Sequence, residues 1–147
     1  MYSIEEFDKQ KSKVMNYIMY KKRTEQEVKN KYINTKPSDL LAEIIEYVKE
    51  ARYLDDEEYI KKAIAEFMNL KNLSIKEIQY KLLAKGIDKN KLEDYIYENK
   101  EELKEYEKKS ALNIYNKKIR TMEEEQIKNY LLKKGYKQQT LKEIIDT

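Results

Sequence analysis

The sequence contains neither cysteine nor histidine among its 147 residues. Without cysteine, the chain can form no disulfide, no zinc–thiolate site and no cysteine nucleophile. Without histidine, it lacks the most common general base and the most common metal-binding side chain. These absences argue against most classes of enzyme, and we expect a protein without catalytic activity, cofactor or metal.

Turn-forming residues and long apolar runs are also scarce. Two glycines and one proline leave little room for hairpins or glycine-rich loops, which favours an all-α fold. The sequence has no apolar run long enough to cross a bilayer and no apolar stretch after its first residues. We therefore expect a protein that neither spans a membrane nor is secreted.

Charged residues make up 40% of the sequence, and the sign of the charge alternates along it. Residues 1–36 carry nine basic and five acidic side chains, residues 37–107 twelve and eighteen, and residues 108–147 ten and five. This order suits a molecule that meets a polyanion at its ends and a protein in its middle. The alternative is that the charges simply solvate helical surfaces.

Many of the fourteen tyrosines lie at helical spacing beside leucine or isoleucine. Tyrosines among lysines can stack on single-stranded bases, but such residues are more often part of a core, with the hydroxyl group reaching water. We interpret these tyrosines as core or half-buried: Tyr17, Tyr20, Tyr32, Tyr47, Tyr59, Tyr80, Tyr95, Tyr115 and Tyr130.

Helix boundaries can be read from capping signals. Six segments have a Ser, Thr, Asp or Asn followed three residues later by Glu, the capping-box pattern of a helix start. Both glycines follow a lysine at the end of an apolar-periodic run, where a left-handed residue ends a helix. The six pairs begin at Ser3, Thr24, Asp55, Ser74, Asn99 and Thr121, and the glycines are Gly86 and Gly135.

Aligning the two glycines reveals an internal repeat. Apolar residues around Gly86 recur around Gly135 at an offset of 49, and an earlier copy matches at an offset near 50. The sequence predicts three tandem three-helix repeats, at 1–53, 54–98 and 99–147, with helices near 4–20, 24–34, 37–50, 56–70, 75–84, 88–98, 100–119, 122–134 and 138–146. Because such small repeats must pack in line, we expect an elongated, curved arrangement that offers a long binding surface.

The segment between the first two repeats, Tyr53-Leu54-Asp55-Asp56-Glu57-Glu58-Tyr59, resembles the signature segment of the RecX family. Arg23-Thr24-Glu25-Gln26-Glu27-Val28 is similar to that family's opening of the second helix. Lys85-Gly86-Ile87 resembles its Lys-Gly-Ile helix end, and the segment from Leu131 to Tyr136 resembles its closing motif, with Lys134 in place of arginine. One departure is at Leu70-Lys71-Asn72-Leu73-Ser74, where the family has a small pair such as Gly-Pro.

The resemblance covers nearly the whole chain and implies a cytoplasmic bacterial regulator that acts in DNA repair, homologous recombination and the SOS response. Such a protein binds the RecA–DNA filament and reduces ATP hydrolysis and strand exchange, with RecA and weakly bound, non-specific single-stranded DNA as partners. We expect a monomer. The structural signature would comprise Tyr53, Leu54, Asp55, Asp56, Gly86 and Gly135.

Three basic clusters are candidate contacts to nucleic acid or to the RecA filament. As residues of helix ends they complement the helix dipole, and as phosphate contacts they would give a salt-dependent, sequence-independent affinity. The resemblance raises the weight of the second interpretation. The clusters are Lys21, Lys22 and Arg23; Lys117, Lys118 and Arg120; and Lys133, Lys134 and Lys137.

Two other functions are conceivable. Asp55 and Asp56 could bind Mg²⁺ as in a nuclease, but carboxylates here also cap a helix and complement its dipole, which is the interpretation we favour. The second and third helices of each repeat resemble a helix-turn-helix in outline, as in a transcriptional regulator. Their third helices are dominated by Leu, Ile, Lys and Glu, which gives little support for reading bases.

Overall fold

A computed structural model describes residues 2–145 of the chain. Within these residues every regular element is an α-helix, which confirms the predicted fold class. The helices are α1 (Ile4–Tyr20), α2 (Glu25–Tyr32), α3 (Ser38–Glu50), α4 (Asp56–Leu70), α5 (Ile75–Ala84), α6 (Lys89–Glu98), α7 (Lys100–Lys118), α8 (Glu124–Lys134) and α9 (Gln138–Ile145). Each predicted boundary lies within two residues of the observed one, except that position 146, the predicted end of α9, lies outside the described residues.

The chain forms two compact units. The first comprises residues 2–60 with Lys85–Ile87, and the second comprises Lys61–Ala84 with residues 88–145. The division into three repeats at 1–53, 54–98 and 99–147 stays a prediction.

The first unit has a core built on α3, which packs against both α1 and α2. Apolar residues of α3 fall on one side of the helix at the spacing that an amphipathic helix requires. The buried residues of this core are Val14, Ile18, Val28, Leu40, Leu41, Ile44, Ile45, Val48 and Leu54.

The second unit is organised around α7, which packs against α6, α8 and most extensively α9. Its core includes Ala111, Ile114, Ile127, Leu131, Tyr136 and Leu141. A buried polar network lies in the same unit. Tyr106 and Ser110 on α7 both donate to the carbonyl of Leu73, at 2.7 and 3.0 Å, and the Ser110 and Tyr136 hydroxyls are 2.5 Å apart. Because each buried hydroxyl has a partner, the network fixes α7 against the loop before α5 without leaving an unsatisfied group.

Four of the six predicted caps form. The side chains of Ser3, Thr24, Asp55 and Ser74 each accept a hydrogen bond from the backbone N–H three residues on, at 3.1 to 3.2 Å. The predictions for Asn99 and Thr121 are wrong. Asn99 donates its side-chain amide back to the carbonyl of Tyr95, and the Thr121 hydroxyl donates to the carbonyl of Lys118. Both side chains therefore close the preceding helix.

Helix α8 begins two residues later than the predicted cap implies. Its N-cap is Glu123, which forms a capping box with Gln126. The backbone N–H of Glu123 donates to the side-chain oxygen of Gln126 at 3.3 Å.

The predicted left-handed glycines are present at the ends of α5 and α8, with φ of +87° at Gly86 and +109° at Gly135. Each also lies close to the start of another helix. A β-carbon at Gly135 would be 2.9 Å from Cβ of Lys76 and 3.0 Å from Oγ of Ser74. Glycine is therefore required both by the backbone conformation and by the close packing.

The same contact occurs at both glycine turns. Thr24 donates to the carbonyl of Lys85 at 2.6 Å, and Ser74 donates to the carbonyl of Lys134 at 2.8 Å. An ion pair accompanies each one, from Lys85 to Glu27 at 3.8 Å and from Lys134 to Glu77 at 3.2 Å. We call each set of contacts a hydroxyl–lysine latch. Its recurrence supports the internal repeat inferred from the sequence.

The loop after α4 contains a residue with a left-handed backbone. Lys71 has a φ of +51°, which costs a non-glycine residue roughly 1–2 kcal/mol. The side-chain amide of Asn113 binds the Lys71 carbonyl at 2.9 Å. This hydrogen bond helps to hold a turn for which glycine would be the less strained choice.

Candidate nucleic-acid interface

The first predicted basic cluster follows the end of α1. Lys21 is the C-cap residue, and the side chains of Lys21 and Lys22 are exposed. Arg23 is half-buried, donates from Nε to the carbonyl of Tyr17 at 3.4 Å, and places its guanidinium carbon 4.0 Å from the centre of the Tyr17 ring. Arg23 therefore has a local packing role, and Lys21 and Lys22 are the more exposed residues of this cluster.

The aromatic partner of Arg23 belongs to a wider basic–aromatic cluster. Nζ of Lys31 lies 5.6 Å from the Tyr17 ring centre, and the Tyr17 and Tyr32 rings meet edge to face at 5.7 Å. Nζ of Lys36 lies 4.9 Å from the Tyr32 ring centre. We call Tyr17, Arg23, Lys31, Tyr32 and Lys36 the first basic–aromatic cluster.

Burial has electrostatic consequences in this cluster. It lowers the pKa of the Lys36 ammonium group, and the nearby positive charge of Lys13 lowers it further. Lys36 donates to the side-chain oxygen of Gln10, which partly replaces the lost hydration. Burial likewise raises the pKa of Tyr32. These two side chains are thus partly withdrawn from water, so the exposed Lys21 and Lys22 are better placed to reach a phosphate.

The second and third predicted clusters meet at one aromatic ring. Nζ of Lys118, in the last turn of α7, lies 4.3 Å from the ring centre of Tyr130 on α8. Nζ of Lys134, in the last turn of α8, lies 5.9 Å from the same ring centre. We call Lys118, Tyr130 and Lys134 the second basic–aromatic cluster.

The remaining predicted residues surround these helix ends without sharing that ring. The side chains of Lys117, Arg120, Lys133 and Lys137 are exposed. The backbone N–H of Lys137 donates to the carboxylate of Glu107 at 3.2 Å. The ammonium group of Lys134 contacts both the Tyr130 ring and the Glu77 carboxylate. It is therefore the least available of these lysines for binding a phosphate.

Such an arrangement can bind a polyanion through exposed lysines beside an aromatic face. Phosphate contacts position a nucleic acid without reading its sequence, and an aromatic face can stack on any base. A cation–π contact at an exposed site contributes only about 0.5–1 kcal/mol, so a ligand can displace it. The same contacts also orient helix ends, and whether these residues bind nucleic acid stays a prediction.

The sequence-based interpretation of the tyrosines is wrong for four of them. Tyr20 is 85% exposed and Tyr80 65%, and Tyr47 and Tyr130 are also exposed. The two tyrosines that are fully buried, Tyr106 and Tyr136, were not among the residues singled out. For Tyr20 a signal was available, because it ends α1 and directly precedes Lys21 and Lys22.

Two acidic residues of the segment between the first two predicted repeats cap the starts of two helices. Asp55 accepts from the N–H of Glu58 at 3.2 Å at the start of α4, and Asp56 accepts from the N–H of Glu25 at 3.0 Å at the start of α2. Leu54 is buried in the core and Tyr53 is 46% exposed. Among residues 2–145, no three acidic side chains converge as metal ligands would.

Within residues 2–145, no helix combines the length and the apolar character that crossing a bilayer requires.

No protein-family model matches the sequence. Curated relatives do. The chain is 39% identical over 85 residues to the regulatory protein RecX of Finegoldia magna, covering 57% of this chain and 42% of that protein. It is 31% identical over 131 residues to the regulatory protein RecX of Clostridium botulinum, covering 84% of this chain and 60% of that protein. The chain thus spans about half the length of the curated relatives it matches.

Two crystal structures share the fold. RecX from Lactobacillus salivarius superposes with a TM-score of 0.82 at 24% identity, over 98% of this chain and 97% of that one. A second structure, of a regulatory protein RecX, superposes with a TM-score of 0.78 at 22% identity, over 96% of this chain and 73% of that one. At these identities, the superpositions show a common fold.

Proposed function

We propose, since the chain belongs to the RecX family, that it regulates the RecA recombinase. In this proposal it binds the RecA–DNA filament and reduces ATP hydrolysis and strand exchange. It acts without catalysis of its own, as a cytoplasmic monomer. The observation that carries the proposal is the sequence similarity to regulatory proteins RecX over most of the chain, together with the shared fold.

The arrangement of charge is consistent with this proposal. In the first unit, the exposed Lys21 and Lys22 directly follow the exposed Tyr20 in the sequence. In the second unit, the exposed Lys117 precedes Lys118, whose Nζ lies over the ring of Tyr130. Exposed lysines next to exposed rings suit single-stranded DNA, which offers both phosphates and unstacked bases. We therefore propose that DNA contacts are weak, independent of sequence and sensitive to salt.

The proposal is tested by adding the purified protein to RecA assembled on single-stranded DNA and measuring the rate of ATP hydrolysis. We expect the rate to fall as the protein approaches stoichiometry with RecA. Strand exchange, followed in parallel by the transfer of a labelled strand, should slow at the same concentrations. An unchanged hydrolysis rate at several-fold excess would overturn the proposal.

A further inference from the structure

A small groove lies between α5 and α6 in the second unit. It has a volume of about 210 Å³, and its apolar part is formed by Tyr80, Leu83 and Leu92. Leu92 is buried at the base, whereas Tyr80 is 65% and Leu83 is 39% exposed. The groove is smaller than the roughly 300–1,000 Å³ that a small-molecule site occupies. Its size therefore suits one large side chain of a partner protein better than a cofactor.

The internal repeat inferred from the sequence indicates that a helix of this kind forms without a tyrosine at the position of Tyr80. Position 80 lies on α5, and the corresponding positions of the neighbouring repeats are Asn30 on α2 and Asn129 on α8. Both asparagines are exposed. Helices α2 and α8 thus carry a small amide side chain at the position where α5 exposes an aromatic ring to solvent. By contrast, the positions that correspond to Leu83 are Ile33 and Leu132, and both of these residues are also exposed and apolar. Leu83 therefore follows the repeat pattern.

The surroundings of Tyr80 distinguish it from an isolated exposed residue. Isolated exposed apolar residues are common on protein surfaces, but Tyr80 adjoins a second exposed apolar side chain and a buried groove floor. Tyrosine is also enriched among the residues that dominate protein–protein binding energy. These three features together indicate an interaction surface.

The charge around the groove indicates what kind of segment would fit. Lys76 and Lys89 line it, and its one carboxylate, Glu93, lies 3.9 Å from Nζ of Lys89. Two of the three charged side chains that line the groove are therefore basic, whereas residues 37–107 as a whole carry twelve basic and eighteen acidic side chains. A partner that is complementary to it carries carboxylates on either side of an apolar residue.

We propose that the α5–α6 groove receives a protein segment in which one large apolar side chain is flanked by carboxylates. The apolar side chain lies against Tyr80 and Leu83, and the carboxylates approach Lys76 and Lys89. The proposal rests on the proposed function in one respect, because the RecA filament is taken as the partner that supplies the segment.

The decisive variant is Tyr80→Asn, which installs the residue that the other two repeats already use and should leave folding intact. We expect it to weaken inhibition of RecA ATP hydrolysis by about tenfold or more in effective concentration, as the loss of a central aromatic contact does. Tyr97→Asn is the matched control, since Tyr97 is 70% exposed on α6 and does not line the groove. Thermal unfolding of both variants checks that each is folded.

A peptide titration tests the groove independently of RecA. The probe is the blocked pentapeptide Asp-Glu-Leu-Glu-Asp, and the comparison peptide replaces its four carboxylates with lysines. We expect the acidic peptide alone to shift the NMR signals of Tyr80 and Leu83, with the shifts lost in the variant Lys76→Glu, Lys89→Glu.

If the wild-type protein inhibits RecA and Tyr80→Asn inhibits equally well, the groove proposal is wrong and the proposed function stands. If the wild-type protein does not affect RecA, the proposed function is wrong and the peptide titration decides about the groove. Shifts confined to the groove would then support it, and their absence would overturn it.

Discussion

Glu107 is a buried carboxylate in a helix interface. It lies on α7, is only 3% exposed, and accepts a hydrogen bond from the backbone N–H of Lys137, the residue before α9. A negative charge at the start of α9 complements the helix dipole. Burial nevertheless raises the pKa of Glu107 above its ordinary value, against the opposing effects of the Lys137 N–H and the Lys137 charge. The loss of hydration therefore outweighs the local attraction.

This raised pKa predicts a specific pH dependence of stability. The folded protein binds the Glu107 proton more tightly than the unfolded chain, so this group lowers the free energy of unfolding as the pH rises from about 4.5 through its folded pKa. Glu107→Gln keeps the acceptor for Lys137 and removes the buried charge. We expect the variant to be more stable than wild type at pH 7, by an amount that shrinks as the pH falls toward 4.

Urea unfolding at pH 4 and at pH 7 measures this difference. Glu105→Gln, an exposed position two residues earlier on α7, is the control and should show little change at either pH. A Glu107→Gln protein that is less stable than wild type at pH 7 would mean that attraction to the start of α9 dominates instead.

The hydroxyl–lysine latch combines two functions in one side chain. The Ser74 hydroxyl accepts from the N–H of Glu77 at 3.1 Å, which caps α5, and donates to the carbonyl of Lys134 at 2.8 Å, which closes α8 against it. Ser3 caps α1 in the same way, with an N–H to Oγ distance of 3.1 Å from Glu6. Ser74 is fully buried, whereas Ser3 is exposed and only caps its helix. Comparing substitutions at the two serines therefore distinguishes the stability contributed by the cap from that contributed by the latch.

We expect Ser3→Ala to lower the free energy of unfolding by about 1 kcal/mol, the usual contribution of an N-cap. Ser74→Ala should lower it by about 2–3 kcal/mol, because it also leaves the Lys134 carbonyl without its hydroxyl partner. Denaturant titrations of the two variants give both values. Equal losses of unfolding free energy in the two variants would show that the bond to Lys134 contributes nothing beyond the cap. The control is Ser74→Thr, which keeps the hydroxyl group and should retain most of the wild-type stability.

Across the whole molecule, positive charge is concentrated in the first and last quarters of the sequence, and the second basic–aromatic cluster lies in the last. Lys117→Glu with Lys118→Glu reverses two charges there and removes one cation from the Tyr130 ring. We expect this pair to weaken inhibition of RecA and to flatten its dependence on salt concentration, because phosphate contacts release counterions in proportion to their number.

The control for that pair is Lys61→Glu with Lys62→Glu, which makes the same change in net charge at two adjacent exposed lysines of α4. Inhibition curves at several salt concentrations compare the two double variants with wild type. If the salt dependence of inhibition changes equally in both double variants, the effect is a general one of net charge. If it is unchanged in the variant Lys117→Glu, Lys118→Glu, the second basic–aromatic cluster does not contact DNA.

What could be predicted from the sequence depends on local interactions. Capping pairs, left-handed glycines and apolar periodicity act within a few residues, so the helices described between residues 2 and 145 and the turns at Gly86 and Gly135 were predictable. The incorrect caps at Asn99 and Thr121 have the same origin. Each side chain can bond either to the helix before it or to the helix after it, and the sequence pattern does not distinguish the two.

The sequence by itself determined an all-helical chain with a recurring Lys-Gly turn and basic segments at both ends. Only the tertiary structure decided that Lys118 and Lys134 share the Tyr130 ring, that Tyr80 faces solvent, and that Glu107 is buried. The physical reason is that burial depends on which face of a helix meets another helix. That choice is made by contacts between residues far apart in the chain, such as Ser74 with Lys134, and a local pattern of residues cannot specify it.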